Sequence, residues 1–236
     1  MNSRTWIPTG FSSFFSLTDY MIKEDGGWVP VMKLLLHICC APDASYGVPA
    51  MQERFHVTGF FFNPNLHPGK EYERRLQATR QLQDFLPFAL EVAGGGEKEW
   101  EEAVRGFEGE PEKGLRCETC IRMRLRRTAE EAKRLGIPAF CTVLTVSPKK
   151  DAAMVNRAGR EEGERVGVFF VEADMKKNDG FRKSVEISKK LGIYRQNYCG
   201  CRYSAGRGHS SRYQAQRSGV SPVECPPLKY PRRKVP

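Results

Sequence analysis

No uninterrupted apolar run in the 236 residues approaches the roughly 20 needed to cross a bilayer as a helix, so no membrane-spanning role is expected. Residues 1–30 lack the compact basic start, apolar stretch and small-residue cleavage site of a secretory signal; the apolar pieces around Phe14 and Phe15 are short and polar-flanked. A cytoplasmic protein is expected. There is no internal repeat, and a chain of this length buries a core without disulfide staples. Several sequence signatures are also missing: the Gly-x-Gly-x-x-Gly dinucleotide fingerprint, the Walker phosphate loop, Cys-x-x-x-Cys-x-x-Cys and His-x-x-x-His. Where an ATP-dependent activating enzyme would show Ser-Gly-Gly-x-Asp-Ser, this chain reads CCAPDAS. Nicotinamide-dependent dehydrogenation and ATP chemistry therefore lose their support.

What is present is a globular balance, 40% hydrophobic and 28% charged residues, with a net charge of +10 that is unevenly spread. Residues 195–236 hold nine basic residues against one acidic. This Pro- and Gly-containing, aperiodic tail suits a polyanion such as RNA, with affinity that falls as salt rises; a solvated tail that aids solubility is the plainer reading of the same composition.

Between the ends, apolar runs alternate with amphipathic ones. KLLLHI (33–38), HVTGFFF (56–62), AFCTVLTV (139–146) and VGVFFV (166–171) read as strands covered on both faces. Helices are expected from the first strand to about Phe55, from Lys70 to Phe85, and at 117–135, 149–163 and 180–191. Gly94–Gly96, Gly106–Gly114, residues 1–30 and the tail are compositionally loose. The expected organisation is an irregular N-terminal extension (1–31), either loosely attached or an artefact of the start site, an α/β domain with a mostly parallel sheet (32–204), and a basic tail (205–236). In such sheets ligands bind beyond the carboxyl ends of the strands. Cys39 and Cys40 stand there.

Six of the eight cysteines fall in pairs, Cys39-Cys40, Cys117-x-x-Cys120 and Cys199-Gly200-Cys201, while Cys141 and Cys225 stand alone. In a reducing compartment such spacing points to metal or redox work. Cys117 and Cys120 lie one turn apart at a helix start, where unpaired N–H groups favour the thiolate. With Cys39 and Cys40 they offer four thiolates, a set that suits tetrahedral zinc or an iron–sulfur cluster. Cys-Gly-Cys would close a small, strained and easily reduced disulfide ring, which shifts the balance toward iron–sulfur redox chemistry. Cys141, inside an apolar strand, reads as a buried inert thiol, and Cys225 as incidental.

Polar groups surround these positions. Asp43 is a candidate metal ligand, acid or helix cap. Asn63, His67 and Tyr72 follow the second strand in FFNPNLHPGKEYERR, and Tyr194, Arg195 and Gln196 precede Cys199 in YRQNYCGC, a mixture suited to stacking and to base or phosphate contacts. Arg122, Arg124, Arg126 and Arg127 are either phosphate contacts or the solvated face of their helix.

LLLHICCAPD, FFNPNLHPGKEYERR, RCETCIRMRLRRTAEEAKRLG, TVLTVSPKK and YRQNYCGCRYS, in this order from about Met32 to Ser204, resemble the QueH type of epoxyqueuosine reductase. The resemblance implies a HUP-like (Rossmann-like) α/β fold without a phosphate loop. It implies removal of the epoxide oxygen of epoxyqueuosine at the wobble position of tRNA, with an electron donor the sequence does not identify. It further implies that Cys39, Cys40, Cys117 and Cys120 hold a [4Fe-4S] cluster, that Cys199 and Cys201 form a redox-active disulfide pair, and that Asp43 serves an additional iron ion. Two rivals use the same residues: a zinc-stabilised RNA-binding module without redox activity, and a metal-free thiol oxidoreductase acting on proteins through Cys199 and Cys201.

Overall fold

Five parallel strands form the centre of the fold. The first of them, β3 (Lys33–His37), follows a two-stranded antiparallel hairpin of β1 (Met21–Glu24) and β2 (Gly27–Pro30). The computed structural model describes residues 21–24 and 27–205; expectations for residues 1–20 and for the tail from 206 onward, Cys225 among them, lie outside these. The hairpin falls within the N-terminal segment 1–31 that composition marks as loose. Beyond β3 the chain runs through α1 (Ala41–Gln52), β4 (His56–Phe61), α2 (Gly69–Gln83), β5 (Ala89–Val92), α3 (Glu97–Ala103), α4 (Leu115–Arg134) and β6 (Ala139–Thr142). The described residues end with α5 (Ala152–Val166), β7 (Phe169–Phe170), α6 (Gly180–Lys190) and the short α7 (Arg202–Ala205).

The sheet order is β5-β4-β3-β6-β7, and every pairing is parallel. In order of entry the strands stand 3-2-1-4-5, the doubly wound Rossmann-like arrangement, with its switch of direction beside β3. Leu34 pairs with Val57 on one side and Ala139 on the other, and Leu34, Leu35 and Leu36 are fully buried. α1 packs against β4, α2 and α6, and α4 against β3, β6 and α5. Helix cover on the sheet explains why these strands read as unbroken apolar runs rather than as alternation.

Several expected boundaries move, each for a local reason. The run 139–146 is buried throughout, yet the strand stops at Thr142, whose hydroxyl accepts the Leu144 N–H at 3.1 Å and starts a 3-10 turn over Val143–Val146. The apolar character there reports burial, not extension. α5 starts three residues later than expected because Asp151 caps it, its carboxylate accepting from Ala153 N–H at 2.9 Å. Val166 ends that helix rather than opening a strand. The loose segment around Gly94–Gly114 contains α3, anchored by the buried Trp100, and the exposed edge strand β5 precedes it.

Candidate functional site

The chain leaves β3 at the switch point and turns at once into α1, with Cys40 as the extended N-cap residue and Pro42 in the first turn. Both thiols of this pair are buried there. The Cys39 thiol lies 3.8 Å from the Cys40 sulfur and 3.5 Å from Asp43 Oδ2. One ligand atom from each of Cys39, Cys40 and Asp43 falls within 4.8 Å of the others. Asp43 makes no capping bond; its carboxyl is buried against the thiols instead. Burial raises its pKa, against the pull of Arg195, of hydrogen bonds from the two thiols and of Arg75. The hydrogen bond with Cys40, together with burial, raises Cys39 well above an ordinary thiol.

α4 delivers the second pair. Cys117 and Cys120 sit in its first two turns, and the Lys113 N–H donates to Cys117 Sγ at 3.3 Å. They line one pocket with Cys199, Cys201, Trp100, Arg116, Arg124 and Lys150. Cys117 and Cys120 lie outside the compact triad of Cys39, Cys40 and Asp43, and Arg124 links the two groups electrostatically. Its guanidinium bears on Cys120, Cys199, Cys39 and Cys117, and donates to Cys120 O at 3.4 Å and Asn63 Oδ1 at 3.5 Å.

Arg124 is 2% exposed, and among the described residues no carboxylate lies within ion-pair distance of it or of Lys150. A buried cation without a carboxylate needs another anion. The donor set around Arg124 can supply it as thiolates, free or metal-bound, so these residues fit a negatively charged metal–thiolate centre.

Lys150 Nζ donates to Cys199 Sγ at 3.2 Å. Burial alone would raise the Cys199 thiol, but Lys150, Arg124 and Arg75 together bring it below its ordinary value. Cys120 goes the other way, raised chiefly by burial. Cys201 is buried against Trp100, Val104 and Cys120. All seven cysteines among the described residues are free thiols. Cys141, as expected, is buried in β6, and its pKa is pushed up to about 12 by desolvation, which makes it inert.

The remaining sequence candidates separate. Asn63 is buried, its amide donating to Ile38 O at 2.9 Å while its oxygen faces Arg124, so it braces the site rather than lining an open surface. The Tyr72 hydroxyl reaches only Ala93 O at 3.5 Å, and its ring packs edge-on against Phe61, away from the thiol pocket. Tyr194 is engaged by Glu71 Oε2 at 2.8 Å. His67 is exposed, and its backbone is bonded to the Cys-Gly-Cys loop. Arg195 stacks on Phe181 with one guanidinium nitrogen unpartnered, and Gln196 keeps a buried, unpartnered amide oxygen.

On α4, Arg122 pairs with Glu118 and Glu161, Arg126 with Glu162, and Arg127 with Glu131, so this face binds carboxylates rather than standing free. Arg124 alone of the four turns into the thiols. Lys150, Trp100, Arg116 and Arg75 went unnoticed in the sequence. Arg75, Arg116 and Lys150 lie within the motifs FFNPNLHPGKEYERR, RCETCIRMRLRRTAEEAKRLG and TVLTVSPKK, whereas Trp100 lies outside them all.

A profile of the family described as epoxyqueuosine reductase QueH matches residues 34–207. Relatives of that name include one from Thermotoga maritima, 38% identical over 72% of this chain and 89% of the relative. Another from Streptococcus pyogenes serotype M1 is 36% identical over 73% of this chain and 70% of its own, and one from Haemophilus influenzae is 34% identical over 80% and 78%. Among solved structures, a predicted subunit of tRNA methyltransferase from Methanocaldococcus jannaschii is similar at 13% identity and a TM-score of 0.47, over 67% of this chain and 75% of that one.

Proposed function

The chain belongs to the epoxyqueuosine reductase QueH family and is an oxidoreductase of queuosine biosynthesis, and from that premise we propose how its residues divide the work on tRNA. The substrate is tRNA carrying epoxyqueuosine at the wobble position. Cys39, Cys40, Cys117 and Cys120 hold a [4Fe-4S] cluster, and Asp43, 3.5 Å from the Cys39 sulfur, serves an additional iron. When bound, these groups supply one-electron transfer and a Lewis-acid pull on the epoxide oxygen. The observation that carries the reading is the buried Arg124, which has no carboxylate partner among the described residues and bears on thiols of both helix starts.

An epoxide that loses its oxygen as water takes up two electrons and two protons and leaves an alkene. Two thiols that close a disulfide release two electrons and two protons, so Cys199 and Cys201 match that demand in full. Lys150 and Arg124 favour the Cys199 thiolate, the reactive form for exchange. Cys201, buried beside Trp100, completes the disulfide. An external two-electron donor then restores the dithiol. Arg195 and Gln196 bind the modified nucleoside; each has an unpartnered buried polar atom, as do Asn65, Trp100 and Arg116. Tyr194 and His67 support this region through Glu71 and the loop backbone.

The test is metal analysis of anaerobically purified protein beside the Cys117→Ala variant, followed by turnover of epoxyqueuosine tRNA. The expected result is about four or more irons per chain with matching acid-labile sulfide and a broad absorption near about 400 nm, lost in the variant. One zinc, no chromophore and no turnover would instead support the zinc-stabilised RNA-binding module.

A further inference from the structure

Three successive carbonyls of the Cys-Gly-Cys loop are held by one stretch of chain. Arg75, on α2 and 3% exposed, donates Nη2 to Tyr198 O and Nη1 to Cys199 O, each at 3.1 Å. The next carbonyl, Gly200 O, accepts the His67 N–H at 2.8 Å. Arg75 is itself fixed: its Nε donates to Glu71 Oε1 at 2.7 Å, and the other Glu71 oxygen accepts from Tyr194 at 2.8 Å. The Tyr198 ring lies 5.5 Å from the guanidinium carbon, and its hydroxyl donates to His67 O at 2.7 Å.

Between the cysteines, Gly200 adopts φ +113°. A Cβ there would come within 2.3 Å of Leu66 Cδ2 and 3.0 Å of Arg75 Nη2. The loop is therefore seated directly on the Arg75 side chain. A surface arginine would spread its donors into water; this one directs them to a buried carboxylate and to the backbone flanking Cys199.

The hydrogen bonds are to carbonyls, not to sulfur, so they are compatible with both the free and the joined thiols, while the guanidinium charge separately favours the Cys199 thiolate. We propose that Arg75, anchored by Glu71, is a positioning residue for the Cys199/Cys201 pair, holding its backbone in one conformation through both the dithiol and the disulfide state. This rests on the redox role assigned to that pair. Without the grip, the two thiols sample separations and orientations in which the small ring cannot close, and the disulfide loses stability relative to the dithiol.

The experiment uses the full-length, metal-containing protein and its Arg75→Lys, Arg75→Met and Glu71→Gln variants. Each is equilibrated across a series of oxidised to reduced dithiothreitol ratios and trapped with an alkylating agent, and the Cys199–Cys201 peptide is read by mass spectrometry. Melting temperature and metal content are measured in parallel. Arg75→Met is expected to need about a tenfold higher oxidised to reduced ratio for half-oxidation. Arg75→Lys, which keeps the charge but loses the fork, and Glu71→Gln, which loosens the anchor while keeping its shape, fall between it and the wild type. If Arg75→Met fails to fold, the two milder variants carry the same comparison. An unchanged half-oxidation ratio alongside a lowered melting temperature would overturn the proposal and leave Arg75 a purely structural residue. A wild-type pair that stays dithiol across the whole series would overturn the redox reading itself, and the proposal with it.

Discussion

Lys150 stands 49 residues from Cys199 in sequence, yet its ammonium donates to that sulfur at 3.2 Å. An ammonium at this distance stabilises the thiolate, and burial strengthens the interaction by removing competing water. Lys150→Met removes that charge and leaves Arg124 and Arg75 as weaker substitutes. Alkylation of Cys199 by iodoacetamide at neutral pH, followed by peptide mapping, is expected to slow several-fold in this variant. Cys141, buried in β6, stays unreactive in both proteins. Asp43 shows how context changes a residue's role: at the third position of a helix its sequence reads equally as a cap, but the structure turns its carboxyl inward to the thiols.

At the scale of elements, the site depends on two helix starts being brought together at one end of the sheet. α1 is fixed by the turn out of β3, and α4 by its contacts with β3, β6 and α5. α5 in turn docks on the two-residue strand β7, where Gly159 lets the Phe170 ring lie flush against the helix. A Cβ at Gly159 would meet three atoms of that ring at or below 2.5 Å. Gly159→Ala is expected to cost about 1–3 kcal/mol through overpacking, seen as a lowered denaturation midpoint with unchanged m-value. The same packing gives the basic face of α4 carboxylate partners: α5 brings Glu161 and Glu162 against Arg122 and Arg126.

Over the whole molecule, the excess positive charge is concentrated at the C-terminal end, where residues 206–236 hold seven basic residues and one acidic. Affinity gained by neutralising phosphates falls with salt in proportion to the contacts made. Replacing Arg207, Arg212 and Arg217 with glutamine is expected to make the salt dependence of tRNA binding shallower, measured by filter binding across a salt series. Turnover at saturating tRNA should persist, since the thiol pocket and its braces all lie within residues 37–201. An unaltered slope would assign the tail to solvation rather than to RNA.

The chain's local pattern was enough to read the α/β class, the parallel sheet, the paired cysteines and the placing of Cys39 and Cys40 just past a strand. Those features follow from nearest neighbours in sequence: apolar runs of strand length, capping and breaking residues, and thiols one helical turn apart. The edge strand β5 and helix α3 escaped such a reading because one is mostly exposed and the other is anchored by the single buried Trp100. Only the tertiary structure decided which cations face the thiols. Arg75 reaches Cys199 across 124 residues and Lys150 across 49, and no local periodicity encodes contacts of that span. They exist because parallel crossovers bring every strand's carboxyl end to the same edge, where groups far apart in the chain share one desolvated pocket and must neutralise one another.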